Sequence, residues 1–151
     1  MSTVRITQIT DLHLGSDIKE TLGGVETFAS FQSVLRATET QGRGDSLLLL
    51  TGDLASDCQP EAYQLLDQAL FEAKKQAIWL PGNHDDVEIM KANLSHYPQR
   101  RIYHAESWGI LLLDSSRPDS PGGHVSDREL VFAEQGLAQL TGKPVLVAMH
   151  H

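Results

Sequence analysis

Residues 46–53 read Ser-Leu-Leu-Leu-Leu-Thr-Gly-Asp. Four leucines in a row, with no polar alternation, suit a strand buried on both faces, as in a parallel sheet covered on each side. Gly52-Asp53 closes the run and delivers a carboxylate at the carboxyl end of that strand, where open α/β sheets place their sites. Three other apolar runs end in the same way. The β-branched stretch 4–10 (VRITQIT) leads into Asp11-Leu12-His13. Residues 77–80 lead through Pro81 into Gly82-Asn83-His84-Asp85, and 145–149 lead into His150-His151.

Helical patterns separate these strands. Phe28, Phe31, Val34 and Leu35 recur at helical spacing and predict a helix over about 27–40, ended by Gly42 and Gly44. Pro60 suits the first turn of a second helix running to about residue 75, with Leu65, Leu66, Ala69, Leu70 and Ala73 inward. A short helix is expected over 87–94, a strand over 108–113 and a loop over 117–123. Ser126-Asp-Arg-Glu129 reads as a capping box opening a helix to about 140. Lys143-Pro144 turns the chain into the last strand. The order β-α-β-α-β-(α)-β-α-β, with short connections, implies an α/β fold with a mostly parallel sheet flanked by helices.

The chain has 151 residues, the size of one domain. Its net charge of −8 argues against a broad basic face, so no nucleic-acid partner is expected. No stretch of 18 apolar residues occurs, so no membrane span is expected either. The N-terminus carries no signal-peptide pattern, and Cys58 is the only cysteine, so no internal disulfide can form. Both points suit a cytoplasmic protein.

Aspartate, histidine and asparagine at successive strand ends form an oxygen-and-imidazole ligand set for hard-to-borderline metals. Asp11 and His13 are two residues apart, so on extended backbone they point to one side and can reach one ion. The two oxygens of Asp53 can bridge two cations. Asn83 and His150 offer a neutral carbonyl and an imidazole to the second ion. The expected product is two cations roughly 3.5–4 Å apart, with a bridging water that deprotonates near neutral pH and attacks phosphorus. His84 adjoins ligand Asn83 but points elsewhere, which suits a residue facing the substrate, for transition-state charge stabilisation or protonation of the leaving oxygen. Asn83, His84 and His13 are the expected substrate-touching residues. Asp85 is expected to accept from and orient a histidine. His96, His104 and His124 read as solvated, and Cys58 as packed or incidental. Phe28, Phe31 and the 65–70 stripe read as core, with Trp79 and Trp108 as packing residues.

These four motifs in order resemble the calcineurin-like metallophosphoesterase superfamily. The stretches 22–35 (LGGVETFASFQSVL), 79–85 (WLPGNHD) and 110–115 (ILLLDS) are similar to bacterial class III 3′,5′-cyclic-AMP phosphodiesterases. The resemblance implies a four-layer α/β/β/α sandwich and hydrolysis of cyclic AMP to 5′-AMP with two divalent or trivalent ions, Fe, Mn or similar. It implies that Asp11 and His13 hold the first ion, Asp53 bridges, and Asn83 and His150 hold the second. His150 is favoured over His151 by its place at the strand end. The family's closing Gly-His-x-His motif is absent. The chain therefore reads as a single metallophosphoesterase domain over 1–151, incomplete at its C-terminus and the N-terminal part of a longer protein. The family's second sheet is expected mostly from outside it. A sheet face left bare would favour a homodimer or cover by another segment. The alternatives are a different small phosphodiester substrate (a glycerophosphodiester or another cyclic nucleotide) and a catalytically dead scaffold of the same fold.

Overall fold

The leucine run is the central strand of a three-stranded parallel sheet. The computed structural model describes residues 4–39, 46–117 and 120–151. The sheet contains β1 (Ile6–Ile9), β4 (Leu47–Thr51) and β5 (Gln76–Leu80), in the order β1-β4-β5. Between β1 and β4 lie a two-stranded hairpin, β2 (Thr21–Leu22) with β3 (Val25–Glu26), and helix α1 (Thr27–Thr38). The hairpin is an addition to the strand and helix order read from the sequence. Its turn is Gly23-Gly24, both at positive φ, a conformation that glycine adopts without steric cost. Thr40, Gly42 and Gly44, expected to finish the first helix, lie outside the described residues.

All of β4 is buried, and its two faces pack on different layers. Leu48 and Leu50 join Ile9, Trp79, Phe31 and Leu35 in one apolar cluster. Helix α2 (Pro60–Glu72) adds Tyr63, Leu66 and Leu70, and α3 (Val87–Asn93) adds Met90. Leu47 and Leu49, on the other face, meet Ile78, Leu80, Ile110 and Leu112.

Ile110 and Leu112 belong to a second sheet, so these strands join the α/β/β/α layering that the resemblance implies and not the parallel first sheet. β6 (Ile102–His104) pairs antiparallel with β7 (Gly109–Leu112), and β7 pairs parallel with β8 (Val145–Ala148). The far side of this sheet carries α4 (Asp127–Gln139), where Leu111, Leu113 and Leu140 pack with Phe132 and Ala133. The layers are therefore helices, sheet, sheet, helix. Three strands of the second sheet come from this chain itself, so the face of the first sheet that was expected to be bare is covered.

Two local readings also change. Ser126 caps α4 by accepting from the Glu129 amide, yet the Glu129 carboxylate does not reach back to complete a capping box. It accepts instead from the Asp114 amide and pairs with Arg101, whose guanidinium lies 3.7 Å from the Phe132 ring centre. Trp79 is buried as expected, with its indole N–H donating to the Tyr97 carbonyl, whereas Trp108 precedes β7 and is largely exposed.

Candidate metal centre

The strand ends converge because the chain keeps pairing after β1 and β4 finish. Asp11 N donates to the Gly52 carbonyl, His13 N to that of Asp53 and Leu14 N to that of Leu54, at 3.1, 2.9 and 3.0 Å. Segments 11–14 and 52–55 thus run side by side. Asp11, His13 and Asp53 all take the left-handed backbone, with φ of 55°, 42° and 51°. That region is costly for residues with a Cβ and persists where surrounding contacts over-determine it. Asp11 and His13 therefore converge through a tight left-handed turn rather than along the extended chain expected for positions i and i+2.

Ligand atoms of Asp11, His13 and Asp53 all lie within 4.8 Å of one another. His13 Nε2 is 3.9 Å from Asp11 Oδ1 and 3.7 Å from Asp53 Oδ2. His150 Nε2 is 3.5 Å from that same Asp53 oxygen. Donors bonded to one ion at about 2.1 Å stand roughly 3–3.4 Å apart, so the group is close to the span a cation needs. Asp53 is the deepest member at 6 % exposed, against 53 % for Asp11, so one oxygen of a buried carboxylate lies between two imidazoles.

His150 is held in the orientation a ligand needs. Its Nδ1 is 2.7 Å from the Thr51 carbonyl, which can only accept, so Nδ1 carries a proton and Nε2 is the nitrogen turned toward Asp53. Ser115 Oγ donates to the His150 carbonyl at 2.5 Å and anchors its backbone. His151 faces elsewhere, with Nε2 accepting from the Gly123 amide at 3.3 Å.

Two glycines make this closeness possible. A Cβ on Gly52 would stand 2.6 Å from the His150 ring and 2.8 Å from Gly82 Cα. A Cβ on Gly82 would collide with the backbone and carboxylate of Asp53.

Asn83 and His84 line an adjoining cleft of about 680 Å³, with Ser56, Asp57 and Cys58 on one side and Ser116, Arg117 and Pro121 on another. The His84 ring meets the His13 ring edge to face, 5.1 Å between centres, so the cleft opens beside the carboxylate–imidazole group. Among the described residues, Arg117 is the only lysine or arginine lining it.

Asp85 does not orient a histidine. Its carboxylate accepts from the amides of Leu54, Ala55 and Gly82 and from the Tyr63 hydroxyl, at 3.1, 3.1, 2.9 and 2.9 Å. It ties the loop after β5 to the loop after β4. Burial pushes its pKa up, and the hydrogen bonds from these four donors oppose that shift. Burial and the adjacent Asp85 charge push the Tyr63 phenol well above its ordinary range, so it stays a donor. Tyr63 and the Thr51 carbonyl were missed in the sequence. Tyr63 sits inside an apolar helix stripe, and any residue supplies a carbonyl. Among the solvated histidines, His96 departs from expectation, with Nδ1 2.6 Å from buried Asp67 and its ring stacked on Phe71.

The calcineurin-like phosphoesterase family model matches residues 4–151. The chain is 38 % identical over 151 residues to the 3′,5′-cyclic adenosine monophosphate phosphodiesterase CpdA of Escherichia coli (strain K12), covering 98 % of this chain and 55 % of that protein. It is 36 % identical over 150 residues to a 3′,5′-cyclic-nucleotide phosphodiesterase of Nostoc sp., covering 98 % and 56 %. It is 34 % identical over 151 residues to the CpdA of Haemophilus influenzae, covering 98 % and 55 %. The chain spans about half the length of the curated relatives it matches. No helix among the described residues is long and apolar enough to cross a membrane.

Proposed function

Because the chain belongs to the calcineurin-like phosphoesterase family, whose members use divalent metals, we propose that it carries the metal centre of a phosphodiesterase that hydrolyses 3′,5′-cyclic AMP to 5′-AMP. The observation that carries this reading is Asp53 Oδ2, 3.7 Å from one imidazole nitrogen and 3.5 Å from another. Asp11, His13 and Asp53 would hold one ion, and Asp53, Asn83 and His150 the other. The donor set fits: carboxylate and amide oxygens with neutral imidazoles suit Mn, Fe or similar ions. When bound, such a pair supplies Lewis acidity and a water of lowered pKa.

The chain's own residues supply the rest. Ser56 O lies 3.3 Å from His84 Nδ1 and can only accept, so Nδ1 carries a proton and Nε2 is the nitrogen left to face the cleft. Forming 5′-AMP breaks the P–O3′ bond, and the departing O3′ takes a proton. His84, when doubly protonated, can give it from Nε2. Asn83, His84 and His13 are the residues that would touch the substrate, and Asp85 holds the loop that bears two of them. The broader name of the Nostoc relative supports a wider reading in which other 3′,5′-cyclic nucleotides are also substrates. The lone cysteine fits a cytoplasmic setting.

The test is AMP formation from cyclic AMP with added Mn²⁺, followed by chromatography. We expect metal-dependent product, reduced about 10²–10⁴-fold in His84→Ala. A folded protein that binds Mn²⁺ but releases no AMP, or equal turnover in the variant, would reject this reading.

A further inference from the structure

One short turn grips His84 at three points. Its amide donates to Asp53 Oδ1 at 2.9 Å, its carbonyl accepts from Cys58 Sγ at 3.0 Å, and its ring Nδ1 lies 3.3 Å from the Ser56 carbonyl. All three partners belong to the turn that follows β4. The amide contact depends on a carboxylate with other work to do, because the second oxygen of Asp53 faces the two imidazoles. The thiol contact has no such double duty, and it fixes the opposite side of the same residue. Cys58 makes it from a left-handed backbone, φ 54°. A non-glycine residue takes that conformation at a cost, here matched by a contact that the turned-back side chain gains. Cys58 also lines the same cleft as His84. Burial, with Asp85, Asp86 and Asp57 nearby, pushes the thiol pKa up, so it remains an S–H donor rather than a thiolate.

We propose that Cys58 is a positioning residue for His84: its thiol pins the His84 carbonyl and, with the Ser56 carbonyl, keeps Nε2 aimed into the cleft. The role of His84 in this proposal rests on the functional reading above. Cys58, first read as packed or incidental, thereby gains a task that serine could share and alanine could not.

Cys58→Ala and Cys58→Ser provide the test, since both keep a Cβ at the left-handed position and differ only in the donor. The first readout needs neither metal nor substrate. In Cys58→Ala, NMR should show the His84 amide exchanging roughly three- to tenfold faster, the loss of one hydrogen bond. Its ring signals should shift, while those of His150 stay in place. Cys58→Ser should return both toward the parent. In turnover of cyclic AMP, kcat should fall three- to tenfold in Cys58→Ala, with KM and Mn²⁺ affinity held within twofold, and should recover in Cys58→Ser. Should Cys58→Ala fail to fold, methylthiolation of the folded parent removes the same donor at the only cysteine, and the same NMR changes are expected. Unchanged His84 signals, or a serine variant as impaired as alanine, would overturn the proposal. If the NMR response appears but no variant or parent makes AMP, the functional reading fails and the positioning role stands.

Discussion

His150 and His151 are adjacent and chemically alike, yet their rings meet different surroundings. The first has its Nδ1 proton committed to the Thr51 carbonyl and its free nitrogen 3.5 Å from Asp53 Oδ2. The second receives the Gly123 amide at the tip of a loop. His150→Ala should therefore weaken Mn²⁺ binding by more than the 10–100-fold typical of losing a residue that only orients a ligand. His151→Ala should leave it within about threefold. Calorimetric titration of the metal-stripped protein distinguishes them, and equal losses would return the pair to ambiguity. The sequence favoured His150 from its place at the strand end. It held no sign of the Thr51 carbonyl, because a main-chain acceptor leaves no trace in residue identity.

At the scale of elements, the site depends on two parallel strands, β4 and β5, ending level with each other and close together. Glycine at 52 and 82 keeps them close: any side chain at 82 would displace Asp53. Gly82→Ala is expected to cost about 1–3 kcal/mol in denaturant unfolding, the range for overpacking a tight site, and to lose most Mn²⁺ affinity along with it. Normal metal binding in that variant would mean the loops can separate without harm. Strand positions were legible because their apolar runs end abruptly in Gly-Asp, Pro-Gly-Asn-His-Asp or His-His. Sheet membership was not. The runs 108–113 and 145–149 look like parallel strands, and β7 and β8 do pair in parallel, but nothing in a run says which sheet it joins. β6, only three residues long, gave no periodic signal at all. The task of Asp85 was hidden for a related reason: it follows a histidine in sequence, yet the Leu54 and Ala55 amides and the Tyr63 hydroxyl reach it from the neighbouring loop and from α2 by tertiary packing.

Over the whole molecule, the two sheets hold each other through Leu47, Leu49, Ile78, Leu80, Ile110 and Leu112. This is the layer that brings β8, and so His150, within reach of Thr51. Leu112 is completely buried there, and Leu112→Ala should destabilise by about 2–5 kcal/mol, the usual cost of a buried leucine cavity. Leu130→Ala, on the 55 % exposed outer side of α4, should stay within about 0.5 kcal/mol. Chemical denaturation of both variants checks the contrast, and similar midpoints would mean the inter-sheet layer contributes little.

The hydrogen bond from His150 to Thr51 joins residues 99 positions apart. Asp11, His13 and Asp53, by contrast, come from a single strand–helix–strand unit. Chain separation therefore grades the group by persistence. A fluctuation that parts the sheets withdraws one imidazole from across the molecule and leaves the three-residue cradle whole. Of the two ions proposed above, the one that would lean on His150 is the one whose residence would be tied to the breathing of the entire sandwich.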